Sequence, residues 1–372
     1  MKKITDFNFG GKRVLVRCDF NVPLSQGGEM AKKASPSSLS SFTRAVAKRE
    51  DESLTSSPPS ETKILDDFRI RKTIPTIKYL IERKAKLILL SHLEVKGENF
   101  SLRPIAKRLE KFLKRKINFF SDCIGKDIEE KVLKMKDGDI ILLENVRFHP
   151  GEKENDLNFA KSLAGLGEIF INEAFSVCHR NHASVVGITK FLPSGAGPLL
   201  IEEVETLSKL IRNPKKPLII IIGGSKAKDK ARVIDKFLEI ADWILIGNLI
   251  FKEIKEKIKG IEKIASPFLD EKALDLDKKT IENFKEKISL AKTIFWSGPL
   301  GKIEEKKYQK GTREITKSII EGKAFSVVGG GDTIEFLNKI GILERFNYVS
   351  VGGGAMLKFL AGEKLPGIEA LK

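Results

Sequence analysis

Short runs of consecutive apolar residues recur along the chain and are rich in Ile, Val and Leu. Uninterrupted hydrophobicity is typical of parallel strands buried on both faces, whereas strands with one solvated face alternate apolar and polar residues. We therefore predict a parallel strand at each run. The runs begin near residues 14, 86, 139, 168, 218, 243, 293, 325 and 348.

Helical patterns lie between these runs, for example at 70–83 and 231–241. A repeated succession of strand, helix and strand predicts a doubly wound α/β architecture. The chain has 372 residues, and single hydrophobic cores divide above about 250 to 300 residues, so two domains are expected. The predicted fold class is α/β, with two doubly wound parallel-sheet (Rossmann-like) domains joined by a hinge helix.

The domain boundary is predicted close to the Pro- and Gly-rich turn at 195, which precedes a helical stretch. This gives an N-terminal domain at 1–197, a linker helix at 198–213 and a C-terminal domain at 214–360. The segment 25–63 breaks the pattern, since it is rich in Ser and Pro and has no sustained period. Such a composition buries too little apolar surface to order itself, so we expect a disordered or weakly helical insert.

Composition narrows the class of protein. With 41% hydrophobic and 31% charged residues, the chain is expected to be globular and not collagen-like, disordered or disulfide-rich. No apolar run approaches the ~20 residues that a bilayer requires, and the N-terminus lacks the apolar core of a signal peptide. The three cysteines stand far apart and fit neither a disulfide framework nor a zinc site. We expect a cytoplasmic protein with no membrane association.

The net charge of +17 predicts an anionic partner, and both phosphate metabolites and nucleic acids satisfy this requirement. Most lysines fall on predicted helical faces, which favours a solvated surface over a nucleic-acid footprint. Aromatic residues make up only 8% of the chain, and no motif of a common nucleic-acid-binding module is present. Nucleic acid is therefore not the expected partner, although it stays open as an alternative.

Glycine clusters follow three predicted strands of the second half: GGSKAKDK from Gly223, GGGDT from Gly329 and GGGA from Gly352. Ligands of open α/β sheets bind beyond the carboxyl ends of the strands, where glycines let backbone N–H groups approach phosphate oxygens at a helix N-terminus. One such turn is more often a packing feature. Here lysines that can neutralise phosphoryl charge, and Asp332, which can hold magnesium, accompany the turns. Together they predict a polyphosphate site without a P-loop or dinucleotide fingerprint.

Arginines and histidines follow the predicted strands of the first half. Guanidinium groups bind carboxylate and phosphate through two parallel hydrogen bonds, so this half is suited to a small phosphorylated acid. The histidines could instead be metal ligands, but the pair in HRNH has no acidic neighbour, which favours anion binding. The residues concerned are Arg17, Asp19, Asn21, His92, Asn145, Arg147, His179, Arg180 and His182.

Six long motifs, in order, resemble the phosphoglycerate kinase family across nearly the whole chain outside 25–63. They are RVLVRCDFNVPL at 13–24, DDFRIRKTIPTIKYL at 66–80, LLENVRFHPGE at 142–152, GGSKAKDK, GGGDT and VGGGAMLKFLAGEKLPGIEAL at 351–371. The resemblance implies a glycolytic phosphotransferase with a carboxyl group as acceptor. It would transfer a phosphoryl group reversibly between 1,3-bisphosphoglycerate and ADP, giving 3-phosphoglycerate and ATP with Mg²⁺. A hinge-bending monomer is implied, whose tail at 361–372 returns to the first domain.

The resemblance also assigns roles to individual residues. The acid substrate would be held by Asp19, Asn21, Arg69, His92, Arg147 and Arg180. The nucleotide would be held by Lys226, Lys230, Gly247, Glu304, Gly329, Gly330, Gly331, Asp332 and Thr333, with Asp332 also holding the metal. Catalytic roles fall to Arg69, Lys226, Gly330 and Gly353.

The chain departs from the family pattern at several places. Where the family has SHLGRP this chain has SHLEVKG, so a substrate arginine is absent and Val95 or Lys96 stands nearby. Ser297 replaces an asparagine, the pattern GGGMA is reduced to the residues around Gly247, and 25–63 is an insert. Two alternatives therefore stay open: a degenerate member that binds nucleotide with little turnover, and a basic nucleic-acid-binding protein.

Overall fold

The computed structural model describes residues 1–25, 63–225, 227–258, 260–267 and 274–372. Most of the predicted insert and Lys226 therefore lie outside the described residues. The chain divides into two compact units. The first unit comprises 1–174, 180–199 and 370–372, and the second comprises 175–179 and 200–369. The domain and linker boundaries inferred from the sequence stay predictions.

Each unit contains one six-stranded sheet in which all neighbouring strands are parallel. The strands are β1 (Arg13–Arg17), β2 (Lys86–Leu90), β3 (Glu94–Val95), β4 (Glu98–Asn99), β5 (Asn118–Phe119), β6 (Ile140–Leu142), β7 (Ile169–Asn172), β8 (Ser194–Ala196), β9 (Leu218–Ile222), β10 (Trp243–Ile246), β11 (Ile264–Ala265), β12 (Thr293–Ser297), β13 (Phe325–Gly329) and β14 (Tyr348–Ser350). The first sheet has the order β5-β6-β2-β1-β7-β8 and the second β11-β10-β9-β12-β13-β14. β3 and β4 form a separate antiparallel hairpin.

Helices connect most of the strands, as parallel pairing requires. The described α-helices are α1 (Phe68–Glu82), α2 (Arg103–Leu113), α3 (Lys126–Leu133), α4 (Pro150–Glu154), α5 (Leu157–Ala164), α6 (Pro198–Arg212), α7 (Ala227–Ile240), α8 (Asn248–Ile258), α9 (Lys278–Leu290), α10 (Lys310–Glu321), α11 (Gly331–Lys339), α12 (Gly354–Leu360) and α13 (Pro366–Glu369). Among them, none combines the length and hydrophobicity needed to cross a membrane.

The first sheet is buried on both faces, which explains its uninterrupted apolar strands. On β1, Val14 and Val16 belong to one apolar cluster, while Leu15 between them belongs to the cluster on the opposite face. Successive strand residues point to opposite faces, so each needs an apolar partner. Full burial of one such side chain contributes roughly 1.5 to 3 kcal/mol. The predicted α/β class with two parallel sheets is confirmed.

All nine strands predicted from apolar runs are present, as β1, β2, β6, β7, β9, β10, β12, β13 and β14. The strands that the pattern missed are two or three residues long, and β5, β8 and β11 lie at sheet edges. β8 lies in the Gly- and Pro-rich stretch that the sequence indicated as a turn. An edge strand this short contributes too few apolar residues to be distinguished from a loop.

Strand order fixes where each sheet can bind a ligand. In the second sheet β9 lies between β10 and β12. The strands that follow β9 are first added on one side of it, as β10 and β11, and then on the other side, as β12, β13 and β14. In the first sheet β1 lies between β2 and β7 in the same way. Open α/β sheets hold ligands beyond the carboxyl ends of the strands at such a switch point. The two candidate sites are therefore at the ends of β1 and β9.

The two ends of the insert meet in the first unit. Leu24 and Ile64 form an antiparallel bridge, and the backbone N–H of Ser25 donates to the carbonyl of Lys63 at 2.8 Å. The N–H of Lys63 returns a hydrogen bond to the Ser25 hydroxyl at 3.0 Å. The chain therefore leaves and re-enters the fold at one point, as the two strands of a hairpin do.

Deleting residues 26–62 and joining Ser25 to Lys63 through two glycines should leave the melting temperature within about 3 °C of the parent. The paired ends already have the geometry that a two-residue loop connects, so β1 and α1 need not move. Thermal unfolding followed by circular dichroism measures this. A second deletion with a nine-residue Gly/Ser linker controls for loop strain, and a large loss of stability in both would show that the segment packs on the fold.

Candidate active site

Arg17 anchors the ligand-binding end of the first sheet. It is the last residue of β1 and is fully buried. Its Nε donates to the Ser184 hydroxyl at 2.9 Å, its Nη1 to the Cys18 carbonyl at 2.5 Å, and its Nη2 contacts His92 Nδ1 at 3.2 Å. Because a guanidinium only donates, His92 Nδ1 must accept, which leaves the His92 proton on Nε2.

His92 lies among positive charges at the end of β2. Burial lowers the pKa of its imidazole well below the usual value, and the charges of Arg17, Arg147, Arg180 and Arg69 lower it further. The ring is therefore neutral at neutral pH. The structure thus brings three of the predicted acid-binding arginines close enough to one histidine to act on it electrostatically.

The predicted residues Asp19, Asn21 and Arg69 form a connected group. Arg69, in the first turn of α1, donates from Nη1 to Asp19 Oδ2 at 2.6 Å. The backbone N–H of Asn21 donates to Asp19 Oδ1 at 3.1 Å, and Asn21 Oδ1 accepts from the backbone N–H of Glu94 at 2.8 Å. The carboxylate thus orients the Arg69 fork, which is about one-quarter exposed.

Arg147 follows β6, and only 1% of its side chain is exposed. One guanidinium nitrogen, Nη1, is paired with the Glu94 carboxylate. Within the described part of the chain, its Nε and Nη2 have no hydrogen-bond partner. Burial lowers the pKa of Arg147 to about 10, with a further contribution from Arg180, while Glu94 opposes the shift. Buried donors without partners are costly, so this position is suited to an anion.

A buried carboxylate that the sequence did not single out supports this cluster. Glu152 accepts from the backbone N–H of Ser184 at 2.8 Å and from its hydroxyl at 2.7 Å, and that hydroxyl accepts from Arg17. Burial alone would raise the pKa of Glu152, but His182, Arg17 and Ser184 outweigh it and lower the pKa. His182, one of the candidate metal ligands, thus lies 3.6 Å from a carboxylate. The only sequence signal was the place of Glu152 in the motif FHPGE.

Stability should decrease as the pH falls below about 6.5, because unfolded His92 takes up a proton there and folded His92, whose pKa is lowered, does not. The stabilisation from neutral burial is complete above the unfolded pKa and decreases by up to about 1.4 kcal/mol for each pH unit below it. Urea unfolding at pH 7.5, 6.5, 5.5 and 5.0 measures the slope. His92→Gln keeps a hydrogen-bond acceptor for Arg17. It should reduce the slope of the unfolding free energy against pH by the equivalent of about one proton taken up on unfolding. Equal slopes in both proteins would contradict the assignment of a neutral histidine.

The second unit has a cleft of about 290 Å³ at the carboxyl ends of its strands. It lies beside the switch point between β9 and β12, where a ligand is expected. Glycines and small polar residues dominate its wall. The lining residues are Ser225, Lys230, Ser297, Gly298, Gly330, Gly331, Asp332, Thr333, Gly353, Gly354, Met356 and Leu357.

Glycines bring the backbone to the surface of this cleft. Gly330 precedes α11 with a φ of 96°, and Gly353 precedes α12 with a φ of 52°. Both values lie in the region that residues with a Cβ avoid. The first N–H groups of a helix have no partner within the helix, and its dipole favours negative charge at that end. The wall thus presents backbone donors that suit phosphate oxygens.

Lys230 supplies a positive charge inside the cleft. It belongs to α7, is buried, and donates from Nζ to the Gly223 carbonyl. A Cβ added at Gly298 would lie 2.1 Å from the Gly223 carbonyl oxygen and 2.7 Å from this nitrogen, so a glycine at position 298 leaves room for both the backbone and the lysine. Asp332, exposed in the first turn of α11, adds a carboxylate to the same wall.

The cleft collects some predicted nucleotide residues and not others. Lys230, Gly330, Gly331, Asp332 and Thr333 line it together with Gly353, and Thr333 Oγ1 accepts from the backbone N–H of Gly298 at 2.9 Å. Gly247, Gly329 and Glu304 are not among the lining residues. A Cβ at Gly329 would lie 2.4 Å from the Met356 sulfur, so this glycine packs against the side chain of a cleft residue. Glu304 is exposed on a turn before α10.

Comparison with known proteins places the chain in a family. The family model described as phosphoglycerate kinase matches residues 44–262 and 249–363. The phosphoglycerate kinase of Dictyoglomus turgidum is 36% identical, with 99% of this chain and 98% of the relative covered. The chain belongs to the phosphoglycerate kinase family. The family inferred from the six motifs is therefore confirmed, and the chain is an enzyme of the kinase class.

Further relatives agree in sequence and in fold. The phosphoglycerate kinase of Clostridium kluyveri is 38% identical over 100% of this chain and 98% of its own. The phosphoglycerate kinase structure from Pyrococcus horikoshii superposes with a TM-score of 0.82 at 27% identity, covering 100% and 98% of the two chains. That from Coxiella burnetii gives 0.75 at 30% identity, covering 99% and 98%.

Proposed function

We propose that this chain catalyses reversible transfer of a phosphoryl group between 1,3-bisphosphoglycerate and ADP, giving 3-phosphoglycerate and ATP. The observation that carries the proposal is that a member of the phosphoglycerate kinase family, matched over 98% of a relative's length, has an arginine cluster in one unit and a glycine-lined cleft in the other. The cluster is rich in arginine, and the cleft is lined by five glycines and the buried Lys230. This pairing favours the kinase over a degenerate or a nucleic-acid-binding protein.

The acid substrate is assigned to the cluster at the end of β1, with Asp19, Asn21, Arg69, His92, Arg147 and Arg180 as its contacts. Phosphoglycerate carries a phosphate and a carboxylate, and guanidinium forks bind both groups bidentately. The two partnerless donors of buried Arg147 support this assignment. Neutral His92 can donate from Nε2 to the substrate without adding charge.

The nucleotide is assigned to the cleft of the second unit, where Lys226 and Lys230 would neutralise phosphate charge. Gly247, Glu304 and Gly329 complete the proposed set on family resemblance alone. Mg²⁺ usually binds through one or two carboxylates plus substrate phosphates, and the exposed Asp332 in the cleft wall fits that role. When bound, the ion would offset the negative charge of the phosphates.

In the proposed phosphoryl transfer, the protein positions the two substrates and stabilises charge. A carboxylate oxygen of 3-phosphoglycerate forms a bond to the terminal phosphorus of ATP while the bond from that phosphorus to the bridging oxygen of ADP breaks. No proton is transferred. Arg69, Lys226 and the backbone N–H groups around Gly330 and Gly353 would stabilise the charge on the phosphoryl group in transit. Hinge bending, a monomeric state and a cytoplasmic location belong to the same proposal.

The test is a coupled assay of ATP consumption that depends on 3-phosphoglycerate, with the purified full-length protein and Mg²⁺. Turnover in the range of about 1 to 100 per second is typical of kinases and would support the function. Tight nucleotide binding without turnover would point to the degenerate alternative. Salt-dependent retention on RNA, in the absence of turnover, would point to the nucleic-acid alternative.

A further inference from the structure

A small hairpin brings an acidic residue to the edge of the arginine cluster. Glu94 and Val95 of β3 pair with Asn99 and Glu98 of β4. The connecting residues, Lys96 and Gly97, have φ values of 51° and 85°. Positive φ at both central positions is typical of the type I′ turn, one of the two common two-residue hairpin turns. The turn places the exposed Lys96 at the tip and Glu94 at the base.

The base of this hairpin is tied to the anion site by hydrogen bonds. Asn145 Nδ2 donates to the carbonyls of Leu93 and Phe100, both at 2.8 Å, and so closes the hairpin at both ends. Asn99 Nδ2 donates to the carbonyl of Arg147 at 3.1 Å. The backbone N–H of Glu94 donates to Asn21 Oδ1. Glu94 is therefore held beside two residues of the proposed acid site.

The Glu94 carboxylate occupies part of the Arg147 fork. It pairs with Nη1 of Arg147, and the same oxygen lies 3.8 Å from Lys153 Nζ. Arg147 is 1% exposed and Glu94 is 25% exposed, so the pair joins a buried guanidinium to a carboxylate that reaches solvent. A carboxylate is one of the groups that the substrate itself carries. The Glu94 carboxylate thus contacts Arg147 as the carboxylate of a bound acid would.

We propose that Glu94 is an internal competitor for the acid site, which must release Arg147 before a phosphorylated acid can use the whole guanidinium fork. The proposal deepens the function given above and rests on it for the identity of the substrate. Glu94 thereby sets the affinity for the acid and leaves that for the nucleotide unchanged, because the two sites belong to separate units.

The expected effect of Glu94 on the affinity for the acid follows from a two-state equilibrium between a paired and a released carboxylate. When a site is open for only a fraction of the time, the apparent dissociation constant equals the intrinsic one divided by that fraction. We take the Glu94–Arg147 pair to be formed for about nine-tenths of the time, which is typical of a charge-assisted hydrogen bond to a buried arginine. The site is then open for about one-tenth of the time, and the apparent dissociation constant for the acid rises about tenfold, or 1.4 kcal/mol. Removing the negative charge at residue 94 also removes like-charge repulsion toward the incoming phosphate.

Glu94→Gln tests the proposal, with Glu98→Gln as the matched control. Both substitutions remove one carboxylate from the same hairpin and keep side-chain size, but Glu98 lies on β4 and is exposed. Calorimetry with inorganic phosphate measures anion affinity without turnover, and steady-state kinetics give KM for 3-phosphoglycerate and for ATP. Glu94→Gln should lower both the phosphate dissociation constant and KM for 3-phosphoglycerate about tenfold, with KM for ATP changed less than about twofold. Glu98→Gln should match the parent.

Equal or weaker phosphate binding in Glu94→Gln would overturn the proposal, and so would an equal gain in Glu98→Gln, which would reveal a long-range charge effect. Glu94→Ala serves as a second variant, and melting curves establish that each protein folds. Tighter phosphate binding without any phosphoryl transfer would leave the role of Glu94 intact and reject the proposed function. Active transfer with no change in either constant would reject the role of Glu94 alone.

Discussion

Lys226→Ala should lower turnover at least about a hundredfold while MgATP affinity stays within about tenfold of the parent. Lys226 lies outside the described residues, and its role rests on the family resemblance; of its sequence neighbours, Ser225 lines the cleft of the second unit and Ala227 begins α7. In the proposed role, the Lys226 ammonium would stabilise charge on the phosphoryl group in transit, an interaction strongest in the transition state. Losing one preorganised donor typically costs ~2.7 to 4 kcal/mol, or about a hundred- to a thousandfold in rate. Steady-state kinetics and nucleotide titration separate the two effects.

Lys236→Ala is the matched control for this variant. Lys236 belongs to the same helix, and its ammonium is paired with Glu239 one turn away. Surface pairs of this kind contribute little, so turnover should stay close to that of the parent. If Lys226→Ala also retained parental turnover, Lys226 would be a surface charge beside a turn, and the site would have to be rebuilt around Lys230 and Asp332.

The fold was predictable where burial is complete and unpredictable at the sheet edges. β9, with the sequence LIIII, is buried at every position, so its pattern has only one structural interpretation. β8 consists of Ser194, Gly195 and Ala196, whose small side chains carry almost no hydrophobic signal. Its place in the sheet comes from backbone pairing with β7, which no local pattern reports.

The same distinction applies to the candidate site. Residues near the start of the helices that follow strands, such as Lys230 in α7 and Asp332 in α11, could be proposed because strand ends meet at one edge of a sheet. The side-chain pairs within the candidate site could not be predicted in this way. Arg17 and Ser184 are 167 residues apart, and Glu94 and Arg147 are 53 apart, so their contacts depend on strand order. A single sequence contains no information on such order beyond the handedness of its crossovers.

The hairpin adds information at the place of the missing substrate arginine. In the sequence, Val95 or Lys96 stands near the position where the family has arginine. The hairpin turn instead exposes Lys96 at its tip and brings Glu94 to Arg147. The local change in the proposed acid site is therefore the addition of a negative charge as well as the loss of a positive one. The pairing register of β3 and β4, which the two-residue turn fixes, determines which side chain of the hairpin contacts the arginine cluster.

Arg69→Ala should lower kcat/KM for 3-phosphoglycerate by about a hundredfold or more, with little change in KM for ATP. Its fork is held by Asp19 at 2.6 Å and acts electrostatically on His92, so the substitution removes a preorganised donor from the arginine cluster. Arg69→Lys keeps the charge but loses the planar fork, and should fall between the parent and the alanine variant.

Arg71→Ala is the control for this variant, because Arg71 lies on the same helix and pairs with Asp67 at its surface. It should change kcat/KM less than about twofold, as exposed helical ion pairs contribute only a few tenths of a kcal/mol. Initial rates over a grid of both substrates give all constants. If the Arg69 and Arg71 variants behaved alike, the acid would not use the Arg69 fork, and substrate binding would have to depend on Arg147 and Arg180 instead.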